Sequence, residues 1–332
     1  WSDQATVTLD KVSVRYSNAT GTVKKSDTKK KEEAQTAVKN EGAAAVSSEE
    51  VNQMSSSEIV ADMKVGWNLG NTLDSYNTNS SDNETGWGNP KTTKAMIDTV
   101  KDAGFNAVRI PVTWGEHLSA DNTIDADYLN RVQEIVDYAI DDNLYVILNV
   151  HHDDALWLHP TYSEQAAVTE KLTAIWQQLC KRFGDYDHHL VFEGMNEPRV
   201  IGSATEWSGG TPEERDVINQ LYQAFIDTVR ATGGLNADRT LIISSHAQSI
   251  TKEAVSAVKI PDDAHIAVSI HSYAPWDFCG TDDTRSDWGS DADKQELDTN
   301  FQYLEDTFIS KGVPVLLDEF GAVNKNNTSI RA

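Results

Sequence analysis

Short apolar segments alternate with longer amphipathic segments through most of this chain, and that alternation restricts the fold more than any other feature of the sequence. The strand-like segments are 64–69, 107–110, 145–150, 190–192, 240–244, 266–270 and 313–318. The segments between them repeat apolar residues at three- and four-residue spacings, the period of a helix with one buried face. Regular βα alternation predicts a parallel sheet covered by helices, and no Gly-x-Gly-x-x-Gly motif follows the first strand to favour an open doubly wound sheet. The predicted fold class is α/β, a (β/α)8 TIM barrel.

Composition and charge argue against several classes of protein. The chain has 332 residues, a mass of 36.7 kDa and a formal net charge of −24. The first 50 residues hold equal numbers of acidic and basic side chains, so the whole negative charge belongs to the remainder. That part would repel a phosphate backbone, which argues against nucleic acid as a partner and favours an uncharged polymer. No apolar run approaches the roughly 20 residues of a membrane span, so no membrane partner is expected.

The cysteines and histidines favour neither a disulfide nor a metal. Cys180 falls near the end of a predicted helix that runs away from the carboxyl ends of the strands, whereas Cys279 follows a strand end. Their Cα atoms should therefore be farther apart than the roughly 7 Å that a disulfide allows, and we expect two free thiols. Neither belongs to a CxxC motif, and His151 and His152 are adjacent rather than spaced on a helix face. We therefore expect no metal and no cofactor.

Two glutamates occupy equivalent positions at the ends of predicted strands. The apolar run that begins at Leu190 leads to Glu197 just before Pro198, a residue that cannot continue the pairing of a strand. The run 313–318 leads in the same way to Glu319. In a parallel barrel, active sites are built at the carboxyl ends of the strands. Two carboxylates at that edge predict glycoside hydrolysis, because the reaction needs paired carboxylates on opposite sides of one bond.

Further polar and aromatic residues follow the other predicted strands. They are Trp67, Asn68, Arg109, His151, His152, Asp153, Asn196, His271 and Tyr273. Taken singly, Arg109 is equally well explained as a buried ion-pair partner, His271 as a satisfied core histidine, and Trp67 as packing. Their joint position at successive strand ends favours one shared site.

Six segments resemble those of glycoside hydrolase family five, the cellulase family in the clan of retaining (β/α)8 glycosidases. They are GWNLGNTLD at 66–74, FNAVRIP at 105–111, ILNVHHD at 147–153, NEP at 196–198, HSY at 271–273 and DEFG at 318–321. The segments occur in the family's order through residues 47–332. The family's tryptophan after the eighth strand has no counterpart here.

The resemblance implies a role for each matching residue. Glu197 corresponds to the acid/base and Glu319 to the nucleophile. The predicted substrate-binding residues are Arg109, His151, His152, Asn196, His271, Tyr273, Asn68, Trp157 and Trp276. No metal ligand is implied.

These roles make chemical demands on the two glutamates. Glu319 must be ionised to attack, and Arg109 and the Tyr273 hydroxyl would hold it in that state as charge and hydrogen-bond partners. Glu197 must begin protonated, and the negative charge of Glu319 is expected to raise the pKa of Glu197 until the nucleophile is glycosylated. Asn196 would bond the sugar 2-hydroxyl group.

Neighbouring carboxylates and tryptophans need separate interpretations. Glu193 lies inside its strand and is read as a structural barrel residue. Asp318 alternates with Glu319 and should point away from the barrel axis. The tryptophans expected in loops after strands are Trp114, Trp157, Trp207, Trp276 and Trp288. One alone is compatible with loop packing, but five favour an elongated cleft in which indoles stack on the sugars of a polysaccharide.

The remaining residues divide the chain into three regions. Residues 1–20 read as a β-strand segment, which either packs on the rest or is the tail of a carbohydrate-binding module. Residues 21–46 are a linker by composition. The barrel of residues 47–332 opens with capping boxes at Ser47 and Ser55, which predict a short helix before the first strand. Seven β units fit before the chain ends, so we expect the natural polypeptide to continue beyond Ala332 with another helix and strand.

The sequence therefore predicts a bacterial, monomeric endo-β-1,4-glucanase that retains anomeric configuration and is either secreted or held at the cell surface. A xyloglucanase, lichenase or mannanase of the same family is the alternative. A carbohydrate-binding protein on an inactive barrel and a metal-dependent barrel hydrolase are rivals from other classes. The presence of both Glu197 and Glu319 argues against the first rival, and the second predicts bound metal.

Overall fold

A computed structural model gives the structure of residues 54–78, 83–280 and 285–324. The predicted strand segment 1–20, the linker 21–46 and the capping box at Ser47 lie outside the described residues. Within them, the chain alternates strands and helices as the sequence predicts.

The bounds of the elements follow the predicted segments to within a few residues, although β5, β6 and β7 all continue past their predicted ends, β5 the furthest. The strands are β1 (Gly66–Asn68), β2 (Ala107–Ile110), β3 (Tyr145–Asn149), β4 (Leu190–Glu193), β5 (Leu241–Ser249), β6 (Ile266–Ser272) and β7 (Val315–Phe320). The helices are α1 (Ser56–Met63), α2 (Lys94–Asp102), α3 (Ala126–Asp141), α4 (Gln165–Phe183), α5 (Pro212–Ala231), α6 (Lys252–Val255), α7 (Trp276–Cys279) and α8 (Asp291–Thr307).

The strands pair in chain order, and every pairing is parallel. In the described residues the sheet has seven strands and curves into a nearly closed barrel, which confirms the predicted fold class. A side chain joins the two outer strands, because Asn68 Nδ2 of β1 donates to the carbonyl of Asp318 in β7 at 2.8 Å. All carboxyl ends of the strands therefore meet at one edge, where a site can form.

Two apolar layers hold the barrel together. The outer layer lies between the sheet and its helices and includes Trp176, Phe192 and Phe225, all fully buried. The inner layer fills the amino-terminal end of the barrel, where Ile59 and Met63 of α1 close it. These two pack against Ala107, Tyr145, Ile147, Val191, Ile242, Ala267 and Leu316. Since one end is filled by apolar side chains, only the carboxyl-terminal end has room for polar chemistry.

The helix that closes the barrel begins as its sequence predicts. The Ser55 side chain accepts from the backbone N–H of Glu58, and the Glu58 carboxylate accepts from the backbone N–H of Ser55 at 2.8 Å. This reciprocal pair satisfies amide donors that an isolated helix leaves open. The capping box at Ser55 is therefore confirmed.

Two expectations from composition can be compared with the fold. Cys180 is buried and Cys279 is partly exposed, and both are free thiols, as predicted. Among the described residues, none of the helices is long and apolar enough to span a membrane.

Candidate active site

Arg109, at the carboxyl end of β2, organises the polar end of the barrel. Its Nε and Nη2 donate to the two carboxylate oxygens of Glu193, each at 2.7 Å. Nη1 donates to Glu319 Oε1 at 2.6 Å and to Asn68 Oδ1 at 3.2 Å, and Nη2 also donates to Asn196 Oδ1 at 2.7 Å. Every N–H group of the guanidinium thus has a partner. With its side chain 3% exposed, Arg109 fixes Glu319 to the barrel interior, and Glu193 serves as the structural counter-ion.

Asp318 points into the barrel, so the prediction that it points away from the axis was wrong. Its Oδ1 accepts from the Ser269 hydroxyl at 2.5 Å, and its Oδ2 lies 3.6 Å from Arg109 Nε. The register between β6 and β7 shifts just before His271, which pairs with Glu319 instead of Asp318. Such an extra residue breaks strict alternation. Asp318 and Glu319 therefore both reach the site from one strand.

Glu319 is held through both carboxylate oxygens. Oε1 accepts from Arg109, and Oε2 accepts from the Tyr273 hydroxyl at 2.9 Å. Burial, followed by the negative charge of Glu319, raises the pKa of Tyr273 well above its ordinary value. The tyrosine therefore stays protonated and remains a donor at any pH at which the fold is stable. With its side chain 20% exposed, Glu319 can still be reached from the cleft.

Glu197 follows β4 in an unusual backbone conformation. Its φ is +39°, a left-handed value that costs a residue with a side chain of the order of 1–3 kcal/mol. Side chains secure the backbone on both sides, because its N–H donates to Gln248 Oε1 at 2.7 Å and its carbonyl accepts from Arg199 Nη1 at 2.9 Å. The carboxylate contacts His271 Nδ1 through Oε1 at 2.9 Å and Arg199 Nη1 through Oε2 at 3.2 Å. The local backbone thus aims Glu197 into the site.

The two glutamates meet across His271. One carboxylate oxygen of Glu197 and one of Glu319 lie within 4.8 Å of each other. His271 Nδ1 is 2.9 Å from the first glutamate and 3.6 Å from the second. Retaining glycosidases keep their carboxyl groups about 5–5.5 Å apart, whereas inverting enzymes need about 6.5–9.5 Å.

The protonation of this cluster differs from the sequence-based expectation. Burial alone would lower the pKa of His271, but the charges of Glu319 and Asp318 and the hydrogen bond to Glu197 raise it to about 10. Burial would raise the pKa of Glu197, but His271, Arg199 and His152 outweigh burial and lower it. The prediction of a raised pKa for Glu197 was therefore wrong, because it ignored these cations.

The two histidines after β3 lie beside this centre. Burial and neighbouring positive charges lower the pKa of His151 well below its ordinary value, so it is neutral, and its Nδ1 lies 3.0 Å from Asn149 Nδ2. Burial also acts to lower the pKa of His152, but Asp74, 3.6 Å away, raises it overall. The two rings are 4.3 Å apart. The ring of His152 also contacts the rings of Tyr76 and Trp87, which contact each other. These three residues form an aromatic group at the rim of the site.

The loop tryptophans divide into buried and exposed members. Trp114 is fully buried and donates through Nε1 to the carbonyl of Asn149, so its expected place in an open cleft was wrong. Trp157 is half-buried and donates through Nε1 to Asp153 at 2.6 Å. The exposed members are Trp207, Trp276 and Trp288, at 61%, 58% and 43%. For Trp157 and Trp276 a sugar-binding role stays a prediction.

Direct contacts bring most of the predicted residues into one network. Its members are Asn68, Arg109, Asn196, Glu197, His271, Tyr273 and Glu319. Sequence reasoning missed Arg199, although its position directly after the Asn-Glu-Pro motif was an available signal. It also missed Gln248, for which the sequence offered no sign, because it contacts Glu197 from 51 residues away.

Donor atoms suited to metal ions cluster in three places among the described residues. Two of the clusters lie in the site, where the atoms of Asp74, His151 and His152 or of Glu197, His271 and Glu319 come within 4.8 Å. The third consists of Asp187, His188 and His189, just before β4. Since His271 Nδ1 is hydrogen-bonded to Glu197, the catalytic cluster is already satisfied without a cation. The absence of a required metal stays a prediction.

A barrel that presents two glutamates across the width of a single glycosidic bond has the architecture of a glycoside hydrolase. A family model described as cellulase (glycosyl hydrolase family 5) matches residues 71–332. The chain belongs to this family, as the resemblance of its motifs predicts.

Individual relatives agree with this assignment. The chain is 50% identical over 285 residues to Endoglucanase A of Clostridium longisporum, covering 83% of this chain and 55% of that protein. It therefore spans about half the length of that relative. Among solved structures, it is similar to a GH5-4 broad specificity endoglucanase from Clostridium longisporum, with a TM-score of 0.81, 48% identity and coverage of 84% and 82% of the two chains. The chain is also similar to a xyloglucan-specific endo-β-1,4-glucanase from a metagenomic library, solved in complex with cellotriose. The TM-score is 0.79 and the identity 48%, with coverage of 82% of this chain and 81% of that chain.

Proposed function

We propose that this chain is an endo-acting β-1,4-glucanase that cleaves by double displacement, with Glu319 as nucleophile and Glu197 as acid/base. The observation that carries the proposal is the separation of their carboxylate oxygens, within 4.8 Å. Oxygens this close are compatible with the separation of about 5–5.5 Å between the carboxyl groups of retaining enzymes, whereas inverting enzymes need about 6.5–9.5 Å to admit a water. The product would keep the configuration of the substrate.

In the first step, a Glu319 oxygen forms a bond to the anomeric carbon as the glycosidic carbon–oxygen bond breaks. Glu197 transfers its proton to the departing sugar oxygen. Arg109 and Tyr273 each donate to one oxygen of Glu319 and so hold the carboxylate in position for attack. The covalent glycosyl ester that results leaves the acid/base as a carboxylate.

In the second step, Glu197 removes a proton from water while the water oxygen attacks the anomeric carbon and releases Glu319. Asn196 supports both transition states. Because its Oδ1 accepts from Arg109, its NH₂ group is directed away from the arginine and is available to the sugar 2-hydroxyl. That bond strengthens as positive charge develops on the sugar ring.

The proton for the first step comes from the His271–Glu197 pair. At neutral pH the free site holds it on His271 Nδ1, 2.9 Å from Glu197 Oε1. Bound substrate excludes water, and transfer of the proton along this hydrogen bond produces neutral histidine and the neutral acid that the reaction needs. His271 thus supplies the proton that Glu197 passes to the leaving group.

The proposed substrate is a long, uncharged β-glucan. The exposed indoles of Trp87, Trp207, Trp276 and Trp288 support binding of several sugars, since aromatic faces stack on pyranose rings. A domain of strongly negative charge suits a neutral polymer better than an acidic one. The solved relatives named above, of broad specificity in one case and xyloglucan-specific in the other, make xyloglucan the second candidate.

We also propose that the enzyme is a bacterial protein that works outside the cell as a monomer. A glucan polymer cannot cross a membrane, so its hydrolysis must take place where the polymer is. Size-exclusion chromatography with light scattering would measure the mass, and fractionation of the producing cells would locate the activity.

The test is hydrolysis by the 332-residue chain of a panel of polysaccharides: carboxymethylcellulose, barley β-glucan, xyloglucan, xylan and mannan. We expect a fast loss of viscosity on the glucans with slow release of reducing ends, the pattern of endo action. Proton NMR of early products should show the β-anomer first. Activity on none of the panel would support the non-catalytic alternative, and prior release of the α-anomer would overturn the proposed mechanism.

A further inference from the structure

Arg199 binds the carboxylate oxygen of Glu197 that His271 does not, and it also binds the backbone of this glutamate. Its Nη1 donates to the Glu197 carbonyl at 2.9 Å and to Oε2 at 3.2 Å. The same guanidinium lies 2.7 Å from Asp154 Oδ2 and donates through Nε to Glu206 Oε1 at 3.0 Å. One cation thus serves three carboxylates, and its side chain is only 12% exposed.

The backbone of Glu197 depends on this contact. A left-handed φ of +39° persists only where the surroundings compensate for it, and Arg199 donates to the carbonyl of this residue. Because the carbonyl and Oε2 share one Nη1, the guanidinium also sets where the carboxylate lies relative to its own backbone. Loss of the contact would free both at once.

The guanidinium is itself fixed from outside. It stacks on the exposed indole of Trp207, with 4.5 Å between its central carbon and the ring centroid. Asp154 is 1% exposed, and its Oδ2 pairs with Arg199 Nη1 at 2.7 Å. The buried carboxylate of Asp154 and the indole ring of Trp207 together restrict the orientation of the Arg199 guanidinium.

We propose that Arg199 is the positioning residue of the acid/base: it holds the Glu197 carboxyl group where the leaving-group oxygen arrives. The inference rests on the proposed function. It assigns Arg199 to the proton-transfer half of the reaction and not to binding, to attack by Glu319 or to general stability. Glu319 is served by a different arginine, so the two roles can be separated by mutation.

The test measures kcat and kcat/KM of Arg199→Met, Arg199→Lys and wild type on aryl β-cellobiosides whose leaving groups range from 2,4-dinitrophenol to phenol. Arg199→Met should lose about 10²-fold in kcat/KM on the phenyl substrate, which needs a well-placed acid, and less than about 3-fold on the dinitrophenyl substrate, which does not. Arg199→Lys keeps the positive charge but lacks the planar guanidinium with its several donors. It should therefore recover part of the loss in kcat/KM on the phenyl substrate. A merely structural role would lower both substrates equally, and that result would overturn the proposal.

The pH profile gives an independent readout. The charged groups that face Glu197 are His271, Glu319, Asp154, His152 and Arg199 itself. Removing the positive charge of Arg199 should raise the pKa of the general acid. Since a general acid is active while protonated, the alkaline limb of kcat/KM on the phenyl substrate should move to higher pH in Arg199→Met and stay near wild type in Arg199→Lys. An unmoved or acid-shifted limb in Arg199→Met would contradict the proposal.

Arg215→Met is the matched control. Arg215 contacts the same loop, donating to the carbonyls of Gly209 and Gly210 at 2.8 and 2.6 Å, without touching Glu197. It should show no dependence on leaving group, and such a dependence would count against Arg199 as the specific cause. If Arg199→Met fails to fold by circular dichroism, Arg199→Lys decides: it should lose more on phenyl than on dinitrophenyl substrate. A wild type inactive both on the aryl cellobiosides and on the polysaccharide panel would refute the proposed function itself.

Discussion

The surroundings of the two candidate catalytic glutamates differ in what they do with protons. Glu319 is bound by Arg109 and Tyr273, both of which keep their protons over the whole working range of pH. Glu197 is bound by His271, which can give up a proton, and its backbone is held by side chains in a left-handed turn. The proposed nucleophile thus has a permanent environment, whereas the proposed acid/base has an exchangeable one. Each is suited to its task, because only the second group must change protonation in every cycle.

The largest expected effect comes from removing either glutamate. Glu319→Ala should lower kcat by about 10⁴-fold or more on every substrate, because no other group can form the covalent bond. Glu197→Ala should retain glycosylation by dinitrophenyl cellobioside, whose leaving group needs no proton, and azide should speed turnover and yield a glycosyl azide. Steady-state kinetics with and without azide check both outcomes. Equal losses on activated and unactivated substrates, with no azide response in Glu197→Ala, would contradict the division of roles.

The permanent character of the Glu319 side can be broken through Arg109. Arg109→Met leaves Glu193, Asp318 and Glu319 close together without their shared cation, and should destabilise the fold by about 3–5 kcal/mol. Urea unfolding at neutral pH measures the loss. Arg182→Met is the control, since Arg182 donates to the side-chain amide oxygens of Asn130 and Gln133, and its loss should change stability by about 0.5 kcal/mol or less. If Arg109→Met left the free energy of unfolding unchanged, the three carboxylates would be held together by shared protons and not by the arginine.

The exchangeable side can be tested through His271 and a second buried histidine, His246. The pKa of His271 is raised from 6.5 to about 10, so the stabilisation from its charge should be complete below about pH 6.5 and lost as pH rises through about 10. Burial, chiefly, lowers the pKa of His246 below 6.5, despite its bond to Glu214. Its contribution should therefore hold above about pH 6.5 and fall at lower pH. The measurement is the difference in the free energy of unfolding between wild type and each His→Asn variant, across pH. This difference should decrease with rising pH for His271→Asn and increase with rising pH for His246→Asn. The same direction in both variants would contradict the charge assigned to His271.

The smallest effect is expected at Tyr273. Tyr273→Phe removes one of two donors to Glu319 while Arg109 remains, so kcat should fall about 10-fold with the pH profile unchanged in shape. Kinetics on carboxymethylcellulose and on dinitrophenyl cellobioside check this result. A shift in the pH optimum would mean that Tyr273 takes part in proton transfer and that the two environments are not separate.

The sequence predicted the fold and the main side chains because both depend on local patterns. Apolar period and strand-end position located Arg109, Glu197, His271 and Glu319. Asp318 was misplaced because a shift of register between neighbouring strands leaves no mark on alternation within one of them. Trp114 was misplaced because position after a strand does not tell a buried loop from an open one.

Protonation could not be read from sequence for a different reason. The pKa of Glu197 depends on how many cations surround it, and Arg199 and His152 act on it from loops whose folding no spacing rule describes. Gln248 contacts the same glutamate from β5 for reasons of tertiary packing alone. The sequence thus showed the residues that carry the proposed chemistry, and His152 among those that adjust it, but not Arg199 or Gln248.

The most direct test of the central claim is to locate the covalent intermediate. The reagent is a dinitrophenyl 2-deoxy-2-fluoro-β-cellobioside. Its fluorine slows both the formation and the hydrolysis of the glycosyl-enzyme, whereas its activated leaving group keeps formation fast. The glycosyl-enzyme therefore accumulates. Peptide mass spectrometry after proteolysis should place one fluorocellobiosyl group on Glu319. A label on Glu197 or on any other residue, or inactivation without a label, would contradict the account.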